Sequence, residues 1–220
     1  HKPVVALKTM ARGLLVLALL VSLLAGEVVC LAAFQRMPHA PRLGLRSALH
    51  MSTAPSAETE PLLRIGHGYD IHRLAPGLPL VIGGVDIDYE LGTEAHSDGD
   101  VVFHSVVDAI FGALGLPDIG QFFPDTDPRW KGASSDVFME EAYNQMVARG
   151  YHIGNVDVTL ILQKPKVMDI KPKMKDNIVR LLRTSESRVN VKARTHEKVD
   201  SVGECRALEC HVVLTLEKQN

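Results

Sequence analysis

Cysteine is scarce in this chain: Cys30, Cys205 and Cys210 are the only three among 220 residues. That excludes a disulfide-built scaffold, and no Cys-x-x-Cys pair offers a zinc knuckle. Cys205 and Cys210 stand an odd number of residues apart, which on one extended strand would point them to opposite faces as unpaired, inert thiols. A basic excess is also missing. From residue 61 onward 18 Lys and Arg face 23 Asp and Glu, a formal charge of −5. Such a body lacks the surplus needed to neutralise nucleic-acid phosphates. There is no Walker loop, no G-x-S-x-G, no G-x-G-x-x-G, no internal repeat and no heptad pattern; Gly66-His67-Gly68 is too short for a dinucleotide loop. One apolar run, Leu14–Gly26, covers 13 residues before Glu27, against the ~20 that span a bilayer.

The first 60 residues have a different character. Lys2, Lys8 and Arg12 precede the apolar run, the pattern of a secretory signal. Read on through Glu27 to Phe34, the same run makes a marginal membrane anchor instead. Gln35–Ala57 then carries Arg36, Arg42 and Arg46 with no acid, the composition of an organelle transit segment. Signal plus transit, joined near Ala32-Ala33-Phe34, resembles the bipartite leaders of plastids acquired by secondary endosymbiosis. An ordinary secreted protein with a linker is the alternative. Residues 1–60 are therefore expected to be a cleavable leader, signal-like over 1–33 and transit-like over 34–60. The mature form, residues 61–220, is expected to be one domain, free of the membrane and resident in the plastid stroma.

The body alternates short strands and helices. Leu62–His67 reads as a strand ending at Gly68, followed by Asp70-Ile71-His72, whose outer two side chains share a face. Leu78–Ile82 and Val85–Tyr89 flank Gly83-Gly84 as a hairpin. After a loop over Glu90–Gly99, the spacing of Phe103, Val106, Val107, Ile110, Phe111 and Leu114 predicts a helix from Asp100 to Leu114. Asp100, His104 and Asp108 form a polar stripe on it. A proline-bracketed loop, Pro117–Pro128, holds its carboxylates outward. Ser134 or Ser135 is expected to cap a helix to Arg149, closed by Gly150. A strand over Asn155–Gln163, a helix over Pro172–Arg183 and strands over Arg188–Thr195 and Leu208–Leu216 complete the order. The fold class is α/β (α+β): a sheet of four or more strands covered by helices on one side.

The chemistry concentrates between Ile65 and His104, where four histidines and several carboxylates crowd 40 residues. Asp70, His72 and His104 make a three-ligand metal set with a position left for substrate, as zinc in a working site requires. The plainer reading leaves His104 a satisfied, half-buried histidine and Asp70 a turn residue. His96-Ser97-Asp98-Gly99-Asp100 precedes a helix N-terminus, where free N–H groups favour an anion; simple capping by Ser97 or Asp98 competes with that. Lys164-Pro165-Lys166 ends a strand, where it is a phosphate contact or a solvated turn. Glu197 is a candidate for a hard cation such as Mg²⁺ or Mn²⁺.

Five blocks, RIGHGYDIH, AHSDGDVVFH, DIGQFFPDTDP, GNVDVT and VNVKA with Thr195 and Glu197-Lys198, stand in one order and spacing. Together they resemble the 2-C-methyl-D-erythritol 2,4-cyclodiphosphate synthase family of the non-mevalonate isoprenoid route, over about Leu63 to Leu216. The resemblance implies a homotrimer with active sites between subunits. It implies a cytidine diphosphate substrate, 4-diphosphocytidyl-2-C-methyl-D-erythritol 2-phosphate, cyclised with loss of CMP. Zn²⁺ then falls to Asp70, His72 and His104, and Mg²⁺ or Mn²⁺ to Glu197. His96 and Thr195 would steady the transition state, with Ser97 beside the phosphate. Asp118, Ile119 and Gly120 would hold the methylerythritol hydroxyls, and Phe123, Asp125 and Asp127 would complete that wall. Leu162, Pro165, Lys166 and Met168 would take the cytidine diphosphate.

Two departures stand out. Arg194-Thr195-His196 replaces a threonine run, so only Thr195 keeps the pattern. Ser201–Ala207 replaces a Phe-Thr-Gly-Arg-Gly-Glu-Gly block near the trimer axis, with acid and base exchanged, which bears on any isoprenoid diphosphate held there. A zinc phosphohydrolase and a non-catalytic trimer that binds prenyl diphosphates are the rival readings of the same residues.

Overall fold

In a computed structural model the described residues are 59–219; of the leader reading over residues 1–60, residues 1–58 lie outside them. Strand β1 runs unbroken over Leu63–Pro76, well past the Gly68 at which the sequence suggested an end. The glycines are there for packing rather than turning. A Cβ on Gly66 would lie 1.8 Å from the Ala109 carbonyl oxygen, and one on Gly68 1.9 Å from that of Ser105. Only glycine lets the helix carrying those carbonyls press directly on the strand.

That helix, α1, covers Val101–Leu114, with Asp100 as N-cap and Gly115 closing it in the left-handed region at φ 68°. Twelve of its 14 residues are buried, including the whole expected apolar stripe. At roughly 1.5–3 kcal/mol for each fully buried Val, Ile, Leu or Phe, tertiary burial dominates its stability. Asp100 is itself fully buried and accepts four backbone N–H groups, from Val102 and Phe103 of α1 and from Gly83 and Gly84. Burial pushes its carboxyl up to about 6 against the pull of those donors. The two glycines form the turn between β2, Leu80–Ile82, and β3, Val85–Ile87, with φ of 60° and 69°; positive φ at both central positions is what a tight hairpin turn needs. Asp100 thus ties the hairpin to the helix start.

The five-stranded sheet has the order β4-β1-β7-β5-β6. Here β4 is Leu91–Glu94, β5 Tyr151–Ile161, β6 Val189–Arg194 and β7 Ala207–Lys218. Only β5 and β6 pair in parallel; the other neighbours are antiparallel. Strand β4 lies inside the stretch read as a loop; four residues are too few for a periodic signal. Helices α3, Asp136–Ala148, and α4, Lys171–Leu181, join α1 in the core; Met174, Ile178 and Leu181 of α4 and the following Leu182 are buried as the spacing implied. The Pro117–Pro128 loop contains a short helix α2, Ile119–Phe122, and a 3-10 turn follows at Pro128–Trp130. A last short helix, α5, spans Asp200–Gly203.

On the face towards the helices Gly66 and Gly68 of β1 and Leu208, Cys210, Val212, Leu214 and Leu216 of β7 are buried, while Ile65, Tyr69, Ile71 and Val213 on the other face are exposed. Helices on one side of the sheet are as expected; the open side carries these exposed apolar side chains among polar ones. Cys210 is buried in β7, but Cys205 sits in the turn before it at φ 60°, so the two do not share a strand; both are free.

Candidate functional site

Beyond Gly66 and Gly68, the same helix-facing register of β1 presents Asp70 and then His72. The close approach enforced by the glycines brings His104, on α1, against both. Its Nδ1 lies 3.0 Å from Asp70 Oδ2 and 3.2 Å from His72 Nε2, and His72 Nε2 is 3.3 Å from the same Asp70 oxygen. Three donor atoms therefore form a near-equilateral triangle. Zinc bonds of ~2.0–2.1 Å in tetrahedral geometry place ligand atoms about 3.3 Å apart. The donor set and its spacing fit one such ion; Asp70, His72 and His104 are the metal-capable cluster among the described residues, and all three line the neighbouring cavity.

The electrostatics agree. Burial works against ionising Asp70, but the hydrogen bond to His104 and the charges of His72 and His104 outweigh it and hold the carboxyl below its ordinary value. Burial pushes His72 down, with Asp70 opposing. Burial also opposes charging His104, yet its bond to Asp70 and that carboxylate's charge raise it. Asp70 is thereby favoured as the carboxylate and His72 as the neutral ring, the forms in which each can bind a metal.

The cluster opens into a cavity of about 260 Å³. His96, Ser97, Ile119, Gly120, Phe123 and Asp125, which the resemblance singled out, line it with Asp70, His72 and His104. Asp108, Ala95, Trp130 and Phe138 complete the wall. Asp108 stands one turn beyond His104 on the polar stripe; besides lining the cavity it accepts the Ile119 N–H at 2.7 Å and so anchors α2 at the cavity edge. Trp130 carried no signal; its Nε1–H is buried without a partner among the described residues. Two expected residues do not line the cavity. Asp118 caps α2, and Asp127 caps the 3-10 turn while its carboxylate grips Arg129. Each shapes the wall from behind.

Leu162, Pro165, Lys166, Met168 and Thr195 line a second, separate cavity of about 310 Å³, together with Gln163, Val167, Lys171, Ala193 and Arg194. Glu197 is not in its wall. It stands in the left-handed region at φ 52° and accepts a hydrogen bond from Thr195 Oγ1 at 3.1 Å. His196 is held between Asp200 and Glu209, 2.8 and 3.5 Å away. Within one chain the two expected halves of the site do not meet.

An α/β sheet protein with a metal-capable Asp-His-His cluster opening into a cavity is the class these features define. Residues 63–217 match the model of the YgbB family. The chain is 57% identical to the chloroplastic 2-C-methyl-D-erythritol 2,4-cyclodiphosphate synthase of Oryza sativa subsp. japonica over 174 residues, 78% of each. It is 50% identical to the synthase of the same name from Proteus mirabilis, over 72% of this chain and 99% of that one. Among solved structures, a CDP complex of IspF from Plasmodium falciparum is 39% identical, with a TM-score of 0.66 over 74% of this chain and 100% of that chain. The chain belongs to the YgbB family, that of the 2-C-methyl-D-erythritol 2,4-cyclodiphosphate synthases.

Proposed function

We propose that this protein converts 4-diphosphocytidyl-2-C-methyl-D-erythritol 2-phosphate to 2-C-methyl-D-erythritol 2,4-cyclodiphosphate and CMP. The observation that carries the reading is the Asp70–His72–His104 triangle opening into the cavity that His96 and Ser97 line. An oxygen of the 2-phosphate attacks the β-phosphorus, and the bond from that phosphorus to the bridging oxygen breaks, so the electron pair leaves with CMP. The nucleophile is already an anion, so no side-chain base is needed; the protein must align the two phosphates and stabilise spreading charge.

His96 and Ser97 would supply donors to the phosphate oxygens from one side, and Thr195 from the other. Ile119 and Gly120, with Asp118 holding the start of α2, would seat the methylerythritol. Leu162, Pro165, Lys166 and Met168 would hold the cytidine diphosphate. Zn²⁺ at Asp70, His72 and His104, and Mg²⁺ or Mn²⁺ at Glu197, would orient the diphosphate and draw charge from it. Glu197 offers the oxygen ligand a hard cation prefers, the remainder coming from phosphate and water.

The two cavities become one site when subunits of a homotrimer place the second cavity of one against the first of its neighbour. The uncovered sheet face supports this, with Ile65 68% and Val213 48% exposed; exposed apolar surface of this kind is what a permanent interface would cover. We place the mature protein, beginning near residue 61, in the plastid. The acid-free, arginine-bearing stretch 35–57 and the chloroplastic rice and Arabidopsis thaliana relatives support that. Incubating the protein with the substrate, Zn²⁺ and Mg²⁺ should release one CMP per cyclic diphosphate, followed by ³¹P NMR. Inorganic phosphate or a linear product would instead favour a phosphohydrolase.

A further inference from the structure

Ser135 stands at the start of α3, where it was expected to cap. It does not: its side chain makes no bond to the first turn. The residue is fully buried, and its hydroxyl lies 2.9 Å from His104 Nε2 and 2.5 Å from Asp98 Oδ1. Its backbone N–H donates to the other Asp98 oxygen at 2.8 Å, and the Asp100 N–H donates to Oδ1 at 3.2 Å. Asp98 is thus surrounded by donors and acts purely as an acceptor.

A serine hydroxyl has one proton to give. Given to Asp98, it leaves the Ser135 oxygen able only to accept from His104, so the imidazole proton belongs on Nε2. A neutral ring with that proton presents its lone pair at Nδ1, the atom facing Asp70 and His72. Ser97 Oγ is the other oxygen near His104 Nε2, at 3.2 Å, and Ser97 lines the cavity.

We propose that Asp98 and Ser135 are positioning residues that set the His104 tautomer for metal binding. Because Ser135 holds Nε2, the Ser97 hydroxyl remains available to a phosphate oxygen in the cavity. This rests on the proposed metal at Asp70, His72 and His104. It adds two residues, neither of which touches that ion or the cavity, and it explains why a serine buried at a helix start forgoes capping. Partners of a ligating histidine's second nitrogen typically change metal affinity ~10–100-fold when removed.

The test is metal binding, independent of turnover. Chelator-stripped protein is titrated with Zn²⁺ against a chromophoric competitor, and with Co²⁺ to read the visible absorption of tetrahedral coordination. Thermal unfolding in chelator checks that each variant folds. Ser97→Ala should bind Zn²⁺ within a few-fold of wild type. Ser135→Ala should bind more weakly, with Ser97 partly replacing the lost acceptor. The double variant Ser97→Ala/Ser135→Ala should lose ~10–100-fold and show an altered Co²⁺ spectrum, whereas Ser135→Thr should restore both. Asp98→Asn should also weaken binding, because its amide sets an N–H against one of the two Ser135 donors. Wild-type affinity and spectrum in the folded double variant would overturn the proposal, as would a full loss from Ser97→Ala alone. Failure of the wild type to bind Zn²⁺ or Co²⁺ would overturn the metal reading as well.

Discussion

The two cavities are built in opposite ways. The first is lined by side chains on a long strand and a buried helix, and its central groups already converge: three ligand atoms lie within 3.3 Å of one another. Around the second, the functional residues sit on a strand end and an exposed loop, with Glu197, Lys198 and Asp200 all at positive φ. There Thr195 donates to Glu197 across two residues of the same loop. Rigid packing sets the first group of side chains; the second rests on backbone held in uncommon conformations, each costing ~1–3 kcal/mol. The proposed division of the site between subunits predicts that these two groups can be broken separately.

Removing a ligand tests the complete half hardest. His104→Ala should lose bound zinc and lower turnover at least ~10³-fold, since metal stabilisation of phosphoryl charge is worth several kcal/mol; metal analysis and CMP release read both. Retained turnover without metal would break the comparison at its centre. Next in size, Gly68→Ala forces a Cβ to 1.9 Å from the Ser105 carbonyl. The helix must back away, so a loss of ~1–3 kcal/mol in denaturant unfolding is expected, together with weaker zinc binding as the triangle opens. A stable variant with normal zinc affinity would mean the glycines do not set the ligand distances.

On the incomplete half, Lys166→Ala should raise KM for the cytidine diphosphate substrate ~10-fold, leaving zinc content unchanged, because one charge-assisted contact is worth ~1.5–3 kcal/mol at most. Zinc loss in that variant would argue against two separable halves. The smallest effect is in pH. His104 holds its proton above the ordinary 6.5 in the metal-free protein, because its bond to Asp70 outweighs burial. Zinc must displace that proton, so affinity should rise with pH through the range above 6.5, and binding near neutral pH should release a proton into the buffer. His72, pushed below 6.5 by burial, and Asp70, held below 3.8 despite burial, have already given theirs up. Calorimetry in buffers of different ionisation enthalpy measures the release; none at all would contradict the assignment of Nδ1 as a ligand.

Much of the first half was legible in the sequence. Two residues apart on a strand means one face, and the helical period of Phe103 to Leu114 placed His104 on the polar stripe that meets it. What stayed hidden depends on packing in three dimensions. Gly66 and Gly68 signal a turn locally; their role against α1 shows only when the helix carbonyls lie beside them. Ser135 carries a capping signal, and nothing along the chain announces that Asp98 and His104 claim its hydroxyl. Strand β4 and helix α5 are too short to have a period. Lys166 and Glu197 offered only their charge as a signal, and the resemblance alone joined them and Thr195 to the proposed site, because their spacing says nothing about a surface in another copy.

The direct test of the divided site is complementation between two dead variants. His104→Ala breaks the first half, Glu197→Gln the second. Mixed, unfolded and refolded together in equal amounts, they should form trimers in which about a quarter of the sites have both halves intact, and CMP release should recover to about that fraction of wild type. If the mixture forms trimers, retains zinc on the Glu197→Gln subunits and stays as inactive as its parents, the two halves do not come from different subunits and the account is wrong.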